Sequence, residues 1–175
     1  MILLVIIDII LLLFSILIMT DFFNIIFRGF APLVGSRQTA LDTILENISP
    51  QPNQVIYELG SSSAKFLRMV EKKFSDVKLI GLEYSPIPFL ISKLFLRLKN
   101  SRVEIRFQNM FKVSLQEADL IYCYLLPGMM VKLGEKIHAE CRPGTILVSY
   151  TFSVPNWRPE NIIKQDGRLI YFYKV

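Results

Sequence analysis

The chain has 175 residues, a formal net charge of +5, a hydrophobic fraction of 52% and a mean hydropathy of +0.41. That length accommodates one domain with a sizeable core and excludes two full ones. Cys123 and Cys141 are isolated and His138 is the single histidine, so the sequence offers no disulfide framework and no metal site.

The first element is "ILLVIIDIILLLFSILIM", Ile2 to Met19, apolar apart from Asp8 and Ser15. As a helix it spans about 27 Å, close to the hydrocarbon thickness of a bilayer. A core helix would keep a polar face, and a cleaved signal peptide would carry a basic start and a small-residue cleavage site. An uncleaved transmembrane helix is therefore expected, with Asp8 facing a partner helix or lying nearer the interface. The following "TDFFNIIFRGFAPLV" suits the headgroup region. No Lys or Arg precedes the helix, whereas Arg28, Arg37 and Lys65 follow it, which places the rest of the chain on the cytoplasmic side. The expected division is an anchor with its interfacial segment over 1–27 and one domain over 28–175. The remaining basic residues are scattered ("RMVEKKF", "KLFLRLKNSR") and accompany no nucleic-acid motif. A membrane-facing surface accounts for them better than nucleic acid does.

From Arg37 onward the periodicity alternates. "SRQTALDTILENI" reads as a helix capped by Ser36 or Thr39, and "VIYEL" as a short buried strand. "SAKFLRMVEKKF" reads as a helix, "KLIGLEY" as a strand, and "PIPFLISKLFLRLKN" as a helix started by Pro86 or Pro88. "VEIRFQ" alternates as a third strand, and "ADLIYCYLL" is apolar throughout and so a central fourth. "PGMMVKLGEKIHAEC" is a helix stopped by "RPG", "TILVSYTF" a fifth strand, and "NIIKQDGRLIYFYKV" a hairpin about Gln165-Asp166-Gly167. This order predicts a Rossmann-like, doubly wound α/β domain: a mostly parallel sheet with a C-terminal antiparallel hairpin, preceded by the transmembrane helix.

In such a sheet, ligands bind beyond the carboxyl ends of the strands, at the loop after the first. Here that loop is Gly60-Ser61-Ser62-Ser63-Ala64. It lacks the second glycine and the Lys-Ser/Thr pair of a phosphate-cradling loop. It also fails the dinucleotide pattern, since Ser62 and Lys65 stand where later glycines belong. What survives is acidic–loop–acidic. Glu58 ends the first strand and can meet a cationic amino group. Glu83 ends the second and can accept both ribose hydroxyls. A ligand with a ribose and a positive charge but no phosphate fits, namely S-adenosylmethionine. Equally, Glu83 could cap the next helix and Glu58 could simply end a strand.

Several segments together resemble the class I, seven-strand S-adenosylmethionine-dependent methyltransferases. Within them the chain is similar to the small membrane-anchored protein-lysine methyltransferases, whose mitochondrial members modify the adenine nucleotide translocase and the ATP synthase c subunit. The resemblance is carried by "APLVGSRQTALDTIL", "YELGSSSAKF" (against E-L-G-S-G-D-G-R), "GLEYSPIPFLISK", "FQNMFKVSLQEADLIYCYLLPGMMVKLGEKI" and "RPGTILVSYTFSVPNWRP". It implies that Glu58, Gly60, Ser61 and Ser62 line the methionine end. It also implies that Glu83 with Tyr84 holds the ribose, and that Asn109 and Met110 border the adenine. Ser62 and Ala64 replace two family glycines, which narrows backbone freedom. Asn109 replaces an aspartate but still offers a carbonyl acceptor.

Methyl transfer from a sulfonium needs alignment and a deprotonated acceptor rather than a metal. Tyr124 and Pro127, after the fourth strand, are expected beside the methyl group as catalytic residues. Trp157 is read either as a wall of the acceptor channel or as a packed edge aromatic. The leading reading is a membrane-anchored protein-lysine N-methyltransferase acting on a membrane-embedded or membrane-proximal protein. The alternatives are a non-catalytic cofactor-binding scaffold and a small-molecule or lipid methyltransferase on the same fold.

Overall fold

The computed structural model describes the backbone of residues 2–28 and 35–175, and the side chains of 3–16, 18–19 and 35–175. In chain order the helices are α1 (Ile2–Arg28), α2 (Gln38–Glu46), α3 (Lys65–Lys73), α4 (Pro86–Leu98) and α5 (Pro127–Glu140). The strands are β1 (Val55–Leu59), β2 (Lys78–Glu83), β3 (Glu104–Phe107), β4 (Leu120–Cys123), β5 (Ile146–Tyr150), β6 (Asn161–Gln165) and β7 (Arg168–Lys174).

The strands form one seven-stranded sheet in the order β3-β2-β1-β4-β5-β7-β6. β1 to β5 run parallel, β7 inserts antiparallel beside β5, and β6 pairs antiparallel with β7. The order reverses between β1 and β4, so a crevice opens at their carboxyl ends. β1, β2 and β4 are buried on both faces, as the apolar runs "VIYEL", "KLIGLE" and "LIYC" require. One face packs Leu41, Ile44, Phe66, Leu67 and Val70 from α2 and α3. The other packs Leu115, Met130, Leu133 and Ile137 beneath α5.

Three expected boundaries move, each for a local reason. The fourth strand ends at Cys123 rather than Leu126, because its pairing with β1 stops at Leu59, where Gly60 turns the chain at φ 68°. α3 begins at Lys65 rather than Ser63, because Ala64 sits left-handed at φ 51°. α2 begins at Gln38 with no side-chain cap. The two hydroxyls expected there are engaged elsewhere, Ser36 with Tyr122 and Thr39 with Asp166. The hairpin forms as expected, with Asp166 and Gly167 both at positive φ (50° and 78°), the pattern of a two-residue type I′ turn.

The expected membrane span is not found: among the described residues no helix is long and apolar enough to cross a membrane. The continuous stretch of α1 with described side chains, 3–16, reaches only about 21 Å. Its apolar side chains are exposed, as is Asp8. The expected interfacial segment over 20–34 lies outside the residues whose side chains are described.

Candidate functional site

The crevice at the switch point is built on the β1–α3 corner. Gly60 turns the chain at φ 68°, and its N–H and that of Ser61 both reach the Leu82 carbonyl, at 2.9 and 3.0 Å. That pins the loop onto β2. The Ser61 hydroxyl faces inward, since a Cβ on Gly81 would stand 2.8 Å from it, and this buried oxygen has no hydrogen-bond partner. Ser61 therefore meets the crevice mainly through its backbone. Ser62 and Ala64 both adopt positive φ (43° and 51°), where a Cβ crowds the following carbonyl. These are the two positions at which the resemblance expects glycine.

Glu58 and Glu83 lie on either side of that corner, 7% and 8% exposed. Glu58 reaches under the start of α3, where Oε2 accepts the Leu67 N–H at 3.3 Å. Burial raises its pKa from an ordinary 4.5 to about 8, against the opposing pull of the Leu67 and Phe66 amides. Glu83 collects three backbone donors. Oε1 accepts the Tyr84 and Ser85 N–H groups at 2.9 and 2.7 Å, and Oε2 accepts the Ser62 N–H at 2.8 Å. Its carbonyl takes the Gln108 N–H at 3.1 Å, which brings Asn109 alongside. The Asn109 Oδ1 accepts the Phe111 N–H at 2.9 Å, and Met110 is buried in the core.

Two clefts lie beside the residues that Glu83 binds. One is lined by Gly35, Ser36, Glu58, Gly60, Ser62 and Tyr124. The other is lined by Tyr84, Asn109, Phe111, Lys112, Met129 and Lys132. Tyr124, just beyond β4, packs on Tyr150 with ring centroids 4.8 Å apart, and its hydroxyl accepts a 2.6 Å bond from Arg168 Nη1. Arg168 stands 5.8 Å from both ring centroids. Thr151, next along from Tyr150, is held at φ 77° with its buried hydroxyl unpartnered. That is a strained conformation for a β-branched residue. The Ser36 and Tyr122 hydroxyls meet at 2.5 Å, and Lys65 Nζ donates to the Ser36 carbonyl at 3.2 Å.

The structure thus places Glu58, Gly60, Ser61, Ser62 and Tyr124 on one cleft and Tyr84 and Asn109 on another, with Glu83 bonded to Ser62 of the first and Tyr84 of the second, while Pro127 starts α5, exposed. Trp157 is elsewhere. Its ring packs edge-on to Tyr173 at 5.9 Å and lies against the Gly134 position of α5, so the packed-aromatic reading holds. Cys123 is fully buried, with its thiol pushed up to about 12 by desolvation, which leaves it inert. Arg168, Ser36, Lys65 and Lys132 were not visible as site residues in the sequence. Their partners are far along the chain, and no local motif marks them.

A seven-stranded sheet in this order, with an acidic residue at the carboxyl end of each of β1 and β2, is the architecture of class I methyltransferases. The comparisons narrow it. The model of the ANTKMT methyltransferase domain family matches residues 58–161, more than half of the chain. The chain belongs to that family and is an S-adenosylmethionine-dependent methyltransferase. It is 26% identical over 150 residues to a protein-lysine N-methyltransferase of Saccharolobus islandicus (strain REY15A), covering 82% of this chain and 93% of that one. It is 21% identical over 163 residues to the adenine nucleotide translocase lysine N-methyltransferase of Mus musculus, covering 92% and 70%. Among solved structures, an RNA methyltransferase from Salinibacter ruber in complex with S-adenosyl-L-homocysteine superposes with a TM-score of 0.74. It is 24% identical and covers 81% of this chain and 93% of its own, a likeness of fold.

Two outcomes follow from this corner. Ser62→Gly should stabilise the protein by about 0.5–1 kcal/mol, because relief of the left-handed strain exceeds the added freedom of the unfolded chain. Urea titration reads this, and a destabilised variant would show that the hydroxyl contributes more than the strain removes. Glu58 gives a pH effect of defined sign. Its folded pKa lies above its unfolded one, so its contribution to stability is full below about 4.5 and is lost as pH rises through about 8. Glu58→Gln should flatten the urea midpoint across that window in ligand-free protein, and a curve parallel to wild type would show that Glu58 is ionised throughout.

Proposed function

We propose that this protein is a lysine N-methyltransferase that modifies a protein held in or against a membrane. The family and the two lysine methyltransferase relatives support the acceptor class. The observation that carries it is the Tyr124–Arg168 pair at the mouth of the methionine-end cleft.

When bound, S-adenosylmethionine supplies an electrophilic methyl group on a sulfonium. The chain's own residues fit it. Glu58, Gly60, Ser61 and Ser62 would enclose the amino-acid end. Glu83 and Tyr84 would take the ribose, and Asn109 and Met110 would border the base, with Phe111 opposite Tyr84. Glu83 Oε2 carries one backbone donor where Oε1 carries two, so it keeps capacity for a ribose hydroxyl.

Tyr124 and Pro127 would frame the acceptor. A lysine would have to reach the cleft as the free amine, its ammonium proton lost to solvent, to be a methyl acceptor. The Tyr124 ring offers an apolar wall, and the fixed positive charge of Arg168 on its hydroxyl disfavours a second cation. Both lower the pKa of the incoming ammonium.

For attachment, α1 carries the proposal. Its backbone is helical for 27 residues, and its described apolar side chains are exposed rather than packed. With Arg28 and Arg37 on the near flank, the domain would lie on the cytoplasmic side.

Incubating the full chain with radiolabelled S-adenosylmethionine and host membranes should label protein, at a lysine mapped by mass spectrometry. Label confined to the lipid extract, or none, would overturn the acceptor class. Arg168→Gln should move the acceptor limb of the kcat/KM profile to higher pH and leave cofactor affinity unchanged; an unshifted limb would show that Arg168 only packs. Protease added outside intact cells should spare the domain, and its digestion would reverse the topology.

A further inference from the structure

α4 is apolar on two faces. Pro88, Ser92 and Leu96 are buried against the sheet, the stripe expected of a packed helix. Opposite them Leu90, Ile91, Leu94 and Leu98 are 57–72% exposed, with Phe95 beside them at 39%. At 100° per residue these five form a single stripe along the helix. Such a surface is not a neutral feature of a water-facing helix.

Charge borders that stripe on both edges. Lys93 and Arg97 lie along one, with Lys93 Nζ 5.3 Å from the Phe89 ring centroid. On the other, Arg68 from α3 stands over Phe95 at 4.6 Å. From Pro86 to Asn100 there is no acidic residue. The patch continues in two directions. α1, with its exposed apolar side chains, packs beside α4. At the other end, Phe107 is 47% exposed and stacks on Tyr84 at 5.6 Å and against Phe89 at 5.2 Å. Tyr84 lines the base-end cleft of the site.

We propose that the exposed face of α4 lies in the headgroup region of an anionic bilayer, as a second membrane contact distinct from α1. An apolar stripe between two rows of cations, with no acid, matches an interfacial helix. A lipid surface is favoured over a protein partner because cations border the stripe on both edges and no acid lies along the helix. The consequence is orientation. α4 starts three residues after Glu83, so docking brings the strand-end crevice to headgroup depth and favours an acceptor lysine at the bilayer surface. The proposal accompanies the membrane reading of α1 but rests on a different element.

The test uses the full chain reconstituted in phosphatidylcholine–phosphatidylserine vesicles, with an environment-sensitive fluorophore on Leu94→Cys. Leu94 is exposed, so the variant should fold, and the native thiols are buried. Parallel labels on Leu11→Cys and Gln116→Cys report α1 and an exposed loop away from α4. The Leu94 label should shift blue and lose roughly half its emission or more to brominated lipid, and weaken in neutral vesicles at high salt. The Gln116 label should do neither. Quenching at Leu11 with none at Leu94 would overturn the docking and leave the anchor. Quenching at Leu94 alone would keep the docking and remove the anchor, and quenching at neither would remove both. A blue shift at Leu94 without lipid quenching would mean that protein covers this face, and would overturn the proposal.

Discussion

The Glu83 carboxylate ties together three pieces of chain. Its two oxygens take the N–H groups of Ser62, Tyr84 and Ser85, and its carbonyl takes that of Gln108. The loop after β1, the turn into α4 and the exit of β3 are thereby fixed relative to one another. Glu58 is as deeply buried, but its amides do not offset desolvation, and its pKa rises to about 8.

The same geometry explains how a loop short of glycine still closes. Ser62 must turn left-handed for its N–H to reach Glu83, and Ala64 must do so for α3 to start over Glu58. Each conformation is uphill for a residue with a Cβ. The Ala64 methyl is fully buried, so its packing offsets part of that strain, whereas the half-buried Ser62 has no such return.

Much of this was legible in the chain because the signals are local. "VIYEL" and "KLIGLE" are apolar runs of strand length, and the glutamates read as site residues stand next to last in β1 and last in β2. Gly60, Asp166 and Gly167 occupy turn positions where their residue types are favoured. The contacts that complete the site are not local. Tyr124 and Arg168 are 44 residues apart, and Ser36 and Tyr122 are 86 apart. Nothing in either neighbourhood announces the partner. Helix starts were misjudged where a hydroxyl had a better use, as at Ser36 and Thr39. The two-faced character of α4 was hidden for another reason: an apolar run reads the same whether it faces protein or lipid.

The lead-in from α1 ties these observations to where the acceptor can be. Gly35 and Ser36 line the same cleft as Glu58 and Gly60. Ser36 is held there by Tyr122 and Lys65, while Arg37 donates to the Asp166 carbonyl at 3.2 Å. The chain thus reaches the site directly from the segment after α1, and it is clamped between β4 and the β6–β7 turn that precedes Arg168. From Arg28 to Gly35 is seven residues, at most about 25 Å of extended chain. Under the proposed attachment, that short tether and the α4 face act from two sides of the crevice. A single tether would leave the domain free to rotate above the bilayer, whereas two contacts remove that freedom. The crevice is then held at one height, and selection of the acceptor lysine becomes partly a matter of its depth relative to the headgroups.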